Sequence, residues 1–313
     1  MEKRTEKILD EVKKVIVGKD ETVKKVFMAI LARGHVLLED VPGVGKTTLA
    51  LSFGRALGLD SKRIQFNSDT LPSDVTGFSV YDKESGSFKY QPGPVMTNLL
   101  LADEINRTSS KTQGALLEVM EEKQVTVDSV THRLPEPFTV LATQNPVGSA
   151  GTQLLPPSQL DRFMIKLSMG YPSFESHVDM LMNRHSENPL DKVECVISKQ
   201  ELIGLSNEVS EVFISKPVYE YVTALAEASR RHGQVELGIS PRGALALCAY
   251  AKAQAYVSER TFVTPEDICE VFSSVCAHRI IPDRKARISG VSCEDIASEI
   301  VGSVPFPKIT VEA

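Results

Sequence analysis

Five short apolar runs, HVLLE (35–39), RIQF (63–66), NLLLADEI (98–105), TVLATQN (139–145) and FMIKLSM (163–169), alternate with helical or irregular segments in the first half of the chain. Runs this short and this apolar, each separated by enough chain for a helix, are what a parallel sheet buried on both faces requires. The expected fold is therefore α/β: a parallel five-stranded sheet between helices. In such sheets ligands gather at the C-terminal ends of the strands. The polar residues Glu39 to Thr47, Asp103 with Glu104, and Gln144 with Asn145 fall there.

The first run leads into EDVPGVGKTT and then TTLALSFGRALG, whose apolar residues recur at helical spacing. The order strand, Gly-rich turn, helix is the context in which G-x-x-x-x-G-K-[ST] forms a phosphate cradle. Asp40 stands where the first Gly belongs, while Pro42 and Gly43 still supply turn chemistry. Gly43, Val44 and Gly45 would aim backbone N–H groups at phosphate oxygens, with Thr48 in the first helical turn behind them. Lys46 would reach the β- and γ-phosphates and the Thr47 hydroxyl would hold Mg²⁺.

NLLLADEI delivers two adjacent carboxylates from a buried strand to the same end of the sheet. Asp103 would anchor Mg²⁺ through its water shell, and Glu104 would orient or deprotonate an attacking water. Asn145 closes the next strand and would hold that water or sense the γ-phosphate. Arg162, in SQLDRF, lies at the domain rim, where it could reach the phosphate of a neighbouring copy as an arginine finger. A salt bridge to Asp161 or another nearby acid is the plainer alternative. Arg242 follows the helix start Ser240-Pro241 and would couple lid position to bound nucleotide.

After Tyr171-Pro172 the strand signal disappears. SKPVYEYVTALAEASRRH places Val218, Tyr221, Val222 and Leu225 on one helical face, and GALALCAYAKAQAYV reads as another helix. Ser240-Pro241 and Thr264-Pro265 each set a capping hydroxyl before Pro at the first helical position. The division expected is a nucleotide-binding core at 1–192 with a smaller all-helical lid domain at 193–313. Two hairpins, FSVYD-KESG-SFKYQ and QVTV-DS-VTHRL, interrupt the core.

The chain has 313 residues and a net charge of -6, which argues against a protein that coats nucleic acid. The N-terminal segment, with Ile8, Val12 and Ile16 at four-residue spacing, reads as an amphipathic helix and not a signal peptide. No run approaches a bilayer span, so no direct membrane insertion and a cytoplasmic location are expected. The odd cysteine count suggests buried thiols rather than a disulfide framework or metal site.

Taken together, HVLLEDVPGVGKT, LLADEINR, EEKQVTV, LATQNP, QLDRF and SPR, in this order over residues 10 to 290, resemble the MoxR family of AAA+ ATPases. The family characteristically has ED where other phosphate loops have Gly. The resemblance implies an AAA+ P-loop αβα core, with Walker A at Gly45, Lys46 and Thr47 and Walker B at Asp103 and Glu104. It further implies sensor 1 at Asn145, a trans-acting finger at Arg162, sensor 2 at Arg242 and an adenine-side loop at Val17-Gly18. It also implies ATP and Mg²⁺ as cofactors, a hexameric ring, chaperone-like activation of proteins or insertion of their cofactors, and partners with von Willebrand factor A domains. The chain departs from the family at NPVGSAGTQLLPPSQLDRF, with Pro157 where a Glu commonly supports the contact between subunits. Competing readings are a magnesium-chelatase-like or nucleic-acid motor subunit and a nucleotide-gated switch with little turnover. VTVDSVTHRL offers a nucleic acid only His132 and Arg133 against Asp128.

Overall fold

The computed structural model describes residues 2–41, 43–145, 153, 155–171, 173–183 and 189–307. Pro42, expected in the phosphate loop, lies outside them, as do residues 146–152 and 154 of the segment that departs from the family pattern. The core runs α1 (Glu2–Lys13), α2 (Asp20–Leu31), β1 (Val36–Glu39), α3 (Lys46–Ala56), β2 (Ser61–Gln65), α4 (Pro72–Thr76), β3 (Gly77–Asp82) and β4 (Ser87–Pro92). It continues through β5 (Leu99–Asp103), α5 (Ser110–Glu122), β6 (Gln124–Val127), β7 (Val130–Arg133), β8 (Thr139–Gln144), α6 (Pro157–Leu160), β9 (Ile165–Leu167) and α7 (Phe174–Asn183).

All five apolar runs become strands of one sheet, ordered β2-β5-β8-β1-β9 and parallel throughout. Alternate residues feed two cores. Val36, Leu38, Leu99, Leu101 and Leu141 face the cluster built on α1 to α3. Leu37, Leu100, Ala102, Val140 and Ala142 face the cluster that contains Leu116, Leu117 and Met120 of α5. Each such buried valine or leucine side chain contributes roughly 1.5–3 kcal/mol. β2 starts two residues ahead of RIQF and is mostly exposed. Its register with β5, and not apolar content, makes it a strand. α1 ends at Lys13, so Ile16 is buried from the following turn instead of from the helix.

Both inserts form antiparallel hairpins, β3 with β4 and β6 with β7. Asp128 and Ser129 take φ of +48° and +64°, the left-handed pair that a two-residue hairpin turn demands. Tyr90 stacks on His132 with ring centroids 4.0 Å apart, joining one hairpin to the other.

The C-terminal part consists of α8 (Lys199–Ser210), α9 (Lys216–Arg231), β10 (Val235–Leu237), α10 (Pro241–Val257), α11 (Pro265–Cys276), β11 (Ile281–Pro282), α12 (Arg284–Ile288) and α13 (Cys293–Ser303). Val218, Tyr221, Val222 and Leu225 are buried on one face of α9. Ser240 and Thr264 both cap, accepting hydrogen bonds from the amides of Gly243 and Asp267. The helical lid also carries one short antiparallel pairing, β10 with β11, which has no signal in the sequence pattern. Its apolar residues do not form a separate core: Tyr250, Ile268 and Phe272 belong to the same cluster as Leu38 and Leu101. The Tyr250 hydroxyl also donates to the Lys25 carbonyl of α2 at 2.9 Å. Among the described residues, no helix is long and apolar enough to cross a membrane.

Candidate active site

The phosphate loop joins β1 to α3. Gly43 and Gly45 have φ of +88° and +96°, a region that L side chains rarely adopt. A Cβ at Gly43 would meet nothing within 4 Å, so backbone conformation and not space demands glycine there. Asp40 proves to be the loop's anchor. Its carboxylate accepts hydrogen bonds from the Ser168 hydroxyl at 2.8 Å, the Gly170 amide at 3.0 Å and the Met169 amide. Lys19 Nζ donates to the Tyr171 carbonyl at 2.7 Å, which brings the Val17-Gly18 turn alongside the anchored segment.

Lys46 is buried and its ammonium donates to the Asp40 carbonyl at 2.7 Å. Burial lowers its pKa below the usual lysine value, against the pull of Asp40, Asp103 and Glu104. Such a cation gains from an incoming anion. Thr47 Oγ1 lies 3.5 Å from Asp103 Oδ2, a hydroxyl beside a carboxylate. Magnesium takes hard oxygens of this kind, using one or two protein ligands plus substrate phosphates. The donor set therefore fits both the nucleotide and its metal.

β5 ends at Asp103, and Glu104 follows with φ of +57°, a strained conformation for a non-glycine residue that is typical of functional sites. Thr143 braces the turn: its hydroxyl donates to Asp103 Oδ1 at 3.1 Å and accepts from the Glu104 amide at 2.9 Å. The Asn145 side-chain amide donates to Glu104 Oε1 at 3.0 Å, so the expected water-holding pair is in contact. Asn106 and Asn145 fix each other through reciprocal bonds between the Asn106 side chain and the Asn145 backbone.

Three further polar residues, which the strand patterns left unassigned, complete this cluster. Arg63 Nε donates to Asp103 Oδ2 at 2.7 Å, Arg107 pairs with Glu104 Oε2 at 2.9 Å, and Gln65 Nε2 reaches the same oxygen at 2.8 Å. Arg63 also donates to Gln65 Oε1 at 2.9 Å, which links the two carboxylates through β2. A signal existed: Arg63 and Gln65 share one side of a strand by the two-residue period, and Arg107 ends LLADEINR. Burial alone would raise the Glu104 carboxyl. Hydrogen bonds from Asn145 and Arg107, the charge of Arg107 and the bond from Gln65 outweigh it and hold the group below its ordinary value. Glu104 is thus anionic at neutral pH.

Lys46, Thr47, Asp103, Glu104 and Asn145 come together; Arg162 and Arg242 do not join them. These two meet at the opposite end of the sheet, around a cavity of about 240 Å³ that Gly34 and His35 also line. At roughly 3.3 Å of rise per residue, β1 and its flanks separate that end from Asp40 by about 20 Å. Both arginines bind Glu121 of α5: Arg162 Nε to Oε2 at 2.9 Å, and Arg242 to Oε1. The acid that pairs with Arg162 is thus Glu121 and not the adjacent Asp161. Asp161 instead pairs with the buried Arg279 at 2.7 Å and accepts from Ser240 Oγ at 2.8 Å. That junction holds the start of α10, and with it Arg242, away from the chain's own phosphate loop. Pro157 is the first residue of α6, the short helix leading to this junction.

Residues 35–165 match the model of the ATPase family associated with various cellular activities, AAA, and residues 227–300 match an AAA lid domain. The uncharacterised protein YeaC of Bacillus subtilis is 46% identical over 96% of this chain and 94% of its own. Chaperone MoxR1 of Mycobacterium tuberculosis is 37% identical over 97% of this chain and 82% of its own. The crystal structure of an inferred ATPase from Cytophaga hutchinsonii superposes with a TM-score of 0.90 at 38% identity, covering 98% of this chain and 96% of that one. With its phosphate loop, paired carboxylates and lid in the arrangement described, this chain belongs to the MoxR family of AAA+ ATPases.

Proposed function

We propose that this protein binds ATP with Mg²⁺ and hydrolyses it at a site completed by a second copy of the chain. The observation that carries this reading is the split in the machinery. One end of the sheet gathers Lys46, Thr47, Asp103, Glu104 and Asn145, and the other presents Arg162 and Arg242 on one carboxylate. Two complementary half-sites at opposite ends make a head-to-tail contact, which must close into a ring or extend as a filament. Family membership favours a ring of six.

In this mechanism the Gly43 to Thr48 loop binds the phosphates and Lys46 neutralises them. Thr47 and Asp103 would hold Mg²⁺, which would supply charge stabilisation to the phosphoryl group. Asn145 and Glu104, already in contact, orient the water, and Glu104 takes its proton. The neighbour's Arg162 side chain, with Arg242 beside it, stabilises charge developing in the transition state. Residues 17 and 18 form the adenine-side wall.

The remaining assignments rest on the family. We propose residues 1–192 as the nucleotide-binding core and 193–313 as the lid, and a cytoplasmic protein. Its cycle would remodel or activate partner proteins, cofactor insertion included, through a partner bearing a von Willebrand factor A domain. MoxR1 is named a chaperone, which supports that direction. A nucleic-acid motor is less well supported, because His132 is stacked on Tyr90 and leaves Arg133 as the basic residue of its hairpin.

The test is ATPase rate per subunit against protein concentration, with light scattering on the same samples. The rate should climb as assemblies form. Arg162→Ala should bind ATP yet hydrolyse it at least about a hundred-fold more slowly. Mixing it with Glu104→Gln subunits should restore activity at interfaces that pair an intact phosphate site with an intact arginine. A flat rate across assembly, or no rescue in mixtures that co-assemble, would refute the shared site.

A further inference from the structure

Two guanidinium groups brought together in solvent repel, yet Arg162 and Arg242 share one carboxylate. Glu121 offers Oε2 to Arg162 at 2.9 Å and Oε1 to Arg242. We propose that Glu121 is a positioning residue that sets the two guanidinium groups as a single two-pronged unit for the terminal phosphate of a neighbouring copy. This rests on the shared-site reading above.

The backbones beneath both prongs are fixed as well. Asp161, adjacent to Arg162, accepts from the Ser240 hydroxyl at 2.8 Å and pairs with Arg279 at 2.7 Å. Ser240 in turn caps the helix whose first turn carries Arg242. Each guanidinium has five N–H donors. Arg162 engages through Nε to Glu121 and Nη1 to the Ser158 carbonyl, and Arg242 through Nη2, so both retain donors for an incoming anion. Two oxygens on one carboxylate carbon resemble two oxygens on one phosphorus, so Glu121 holds the prongs at a spacing that suits a phosphoryl group.

All three side chains are partly exposed, at 28% for Arg162, 36% for Glu121 and 42% for Arg242. Solvent-screened pairs of this kind contribute little to stability. The value of the contact is therefore geometric, and its loss should appear in the rate and not in the fold. Burial raises the Glu121 carboxyl, but the bond from Arg162 and the charges of both arginines outweigh it. Glu121 stays anionic at neutral pH.

The experiment is a kinetic double-mutant cycle on the full chain, at matched assembly size by light scattering. Glu121→Gln should lower kcat about ten-fold with KM for ATP changed by less than about two-fold, as misplacing a reacting group does. Glu121→Asp, which keeps the charge, should recover part of that loss. In an Arg162→Ala, Arg242→Ala background, Glu121→Gln should add nothing, because the groups it acts through are gone. An undiminished kcat, the same ten-fold loss in both backgrounds, or dissolution of the assembly would each overturn the inference. If Arg162→Ala alone left the rate intact, the shared-site reading would fall instead.

Discussion

Asp40 stands at the position where a phosphate loop ordinarily carries glycine, and its carboxylate ties that loop to residues 168–170. The chain's own contacts thus shape the loop, and Lys46 donates to the Asp40 carbonyl. Burial keeps the Lys46 pKa below the ordinary lysine value in this state. A phosphate anion would raise it, so ATP binding takes up a proton wherever Lys46 is partly deprotonated. ATP affinity should then fall on the alkaline side, beginning below the titration of an ordinary lysine. Titrations of nucleotide affinity against pH will check this, and in Lys46→Ala affinity itself should collapse. The turn of this loop was legible because the φ of Gly43 and Gly45 answers to local backbone geometry, and the lysine and threonine that follow stand at fixed offsets from it. Arg63 and Gln65 were not, since their partners lie across a strand pairing that the local pattern does not reveal.

Short-range signals specified whole elements well. The DS turn of the second hairpin, the capping hydroxyls of α10 and α11 and the continuous apolar run of β5 all act within a few residues, and each appears in the structure. Contacts between elements were opaque. Periodicity says which face of α5 is buried but not that Glu121, at its end, meets the first turn of α10. The cap of α10 has two duties: Ser240 accepts from the Gly243 amide and donates to Asp161. Ser240→Ala should cost about 1–2 kcal/mol by denaturant unfolding, the usual range for a lost cap. It should also lower the ATPase rate, because Arg242 is carried on that first turn. Thr264→Ala, a cap with no link to Asp161, should cost similar stability and leave the rate nearly unchanged.

Over the whole molecule, one buried histidine and one half-buried histidine make stability depend on pH. His35 accepts from the Val140 amide at Nδ1, at 3.0 Å, and its Nε2 contacts the Met120 carbonyl at 3.2 Å. Burial pushes its pKa down from 6.5 to about 4. His278 is likewise lowered by burial, at the junction where Arg279 meets Asp161. Both must be neutral in the folded state, whereas the unfolded chain protonates them as pH falls below 6.5. The unfolded state then binds more protons, so stability should decline between pH 6.5 and 4, with His35 contributing about 3 kcal/mol. Urea midpoints at pH 7 and pH 5 will measure the slope, and His35→Gln should flatten it.

The apolar cluster that runs unbroken from Leu38 and Leu101 through α2 to Tyr250 and Phe272 also decides what kind of motion the lid can make. Swinging the lid open would bare that continuous surface to water, whereas sliding packed helices across one another keeps it covered. Because Ser240 and Arg279 grip Asp161, such a slide would carry Arg162 along with the lid. A lid held this way is geared like a ratchet with a short tooth: any motion that nucleotide drives in it should be a small displacement against a stiff body.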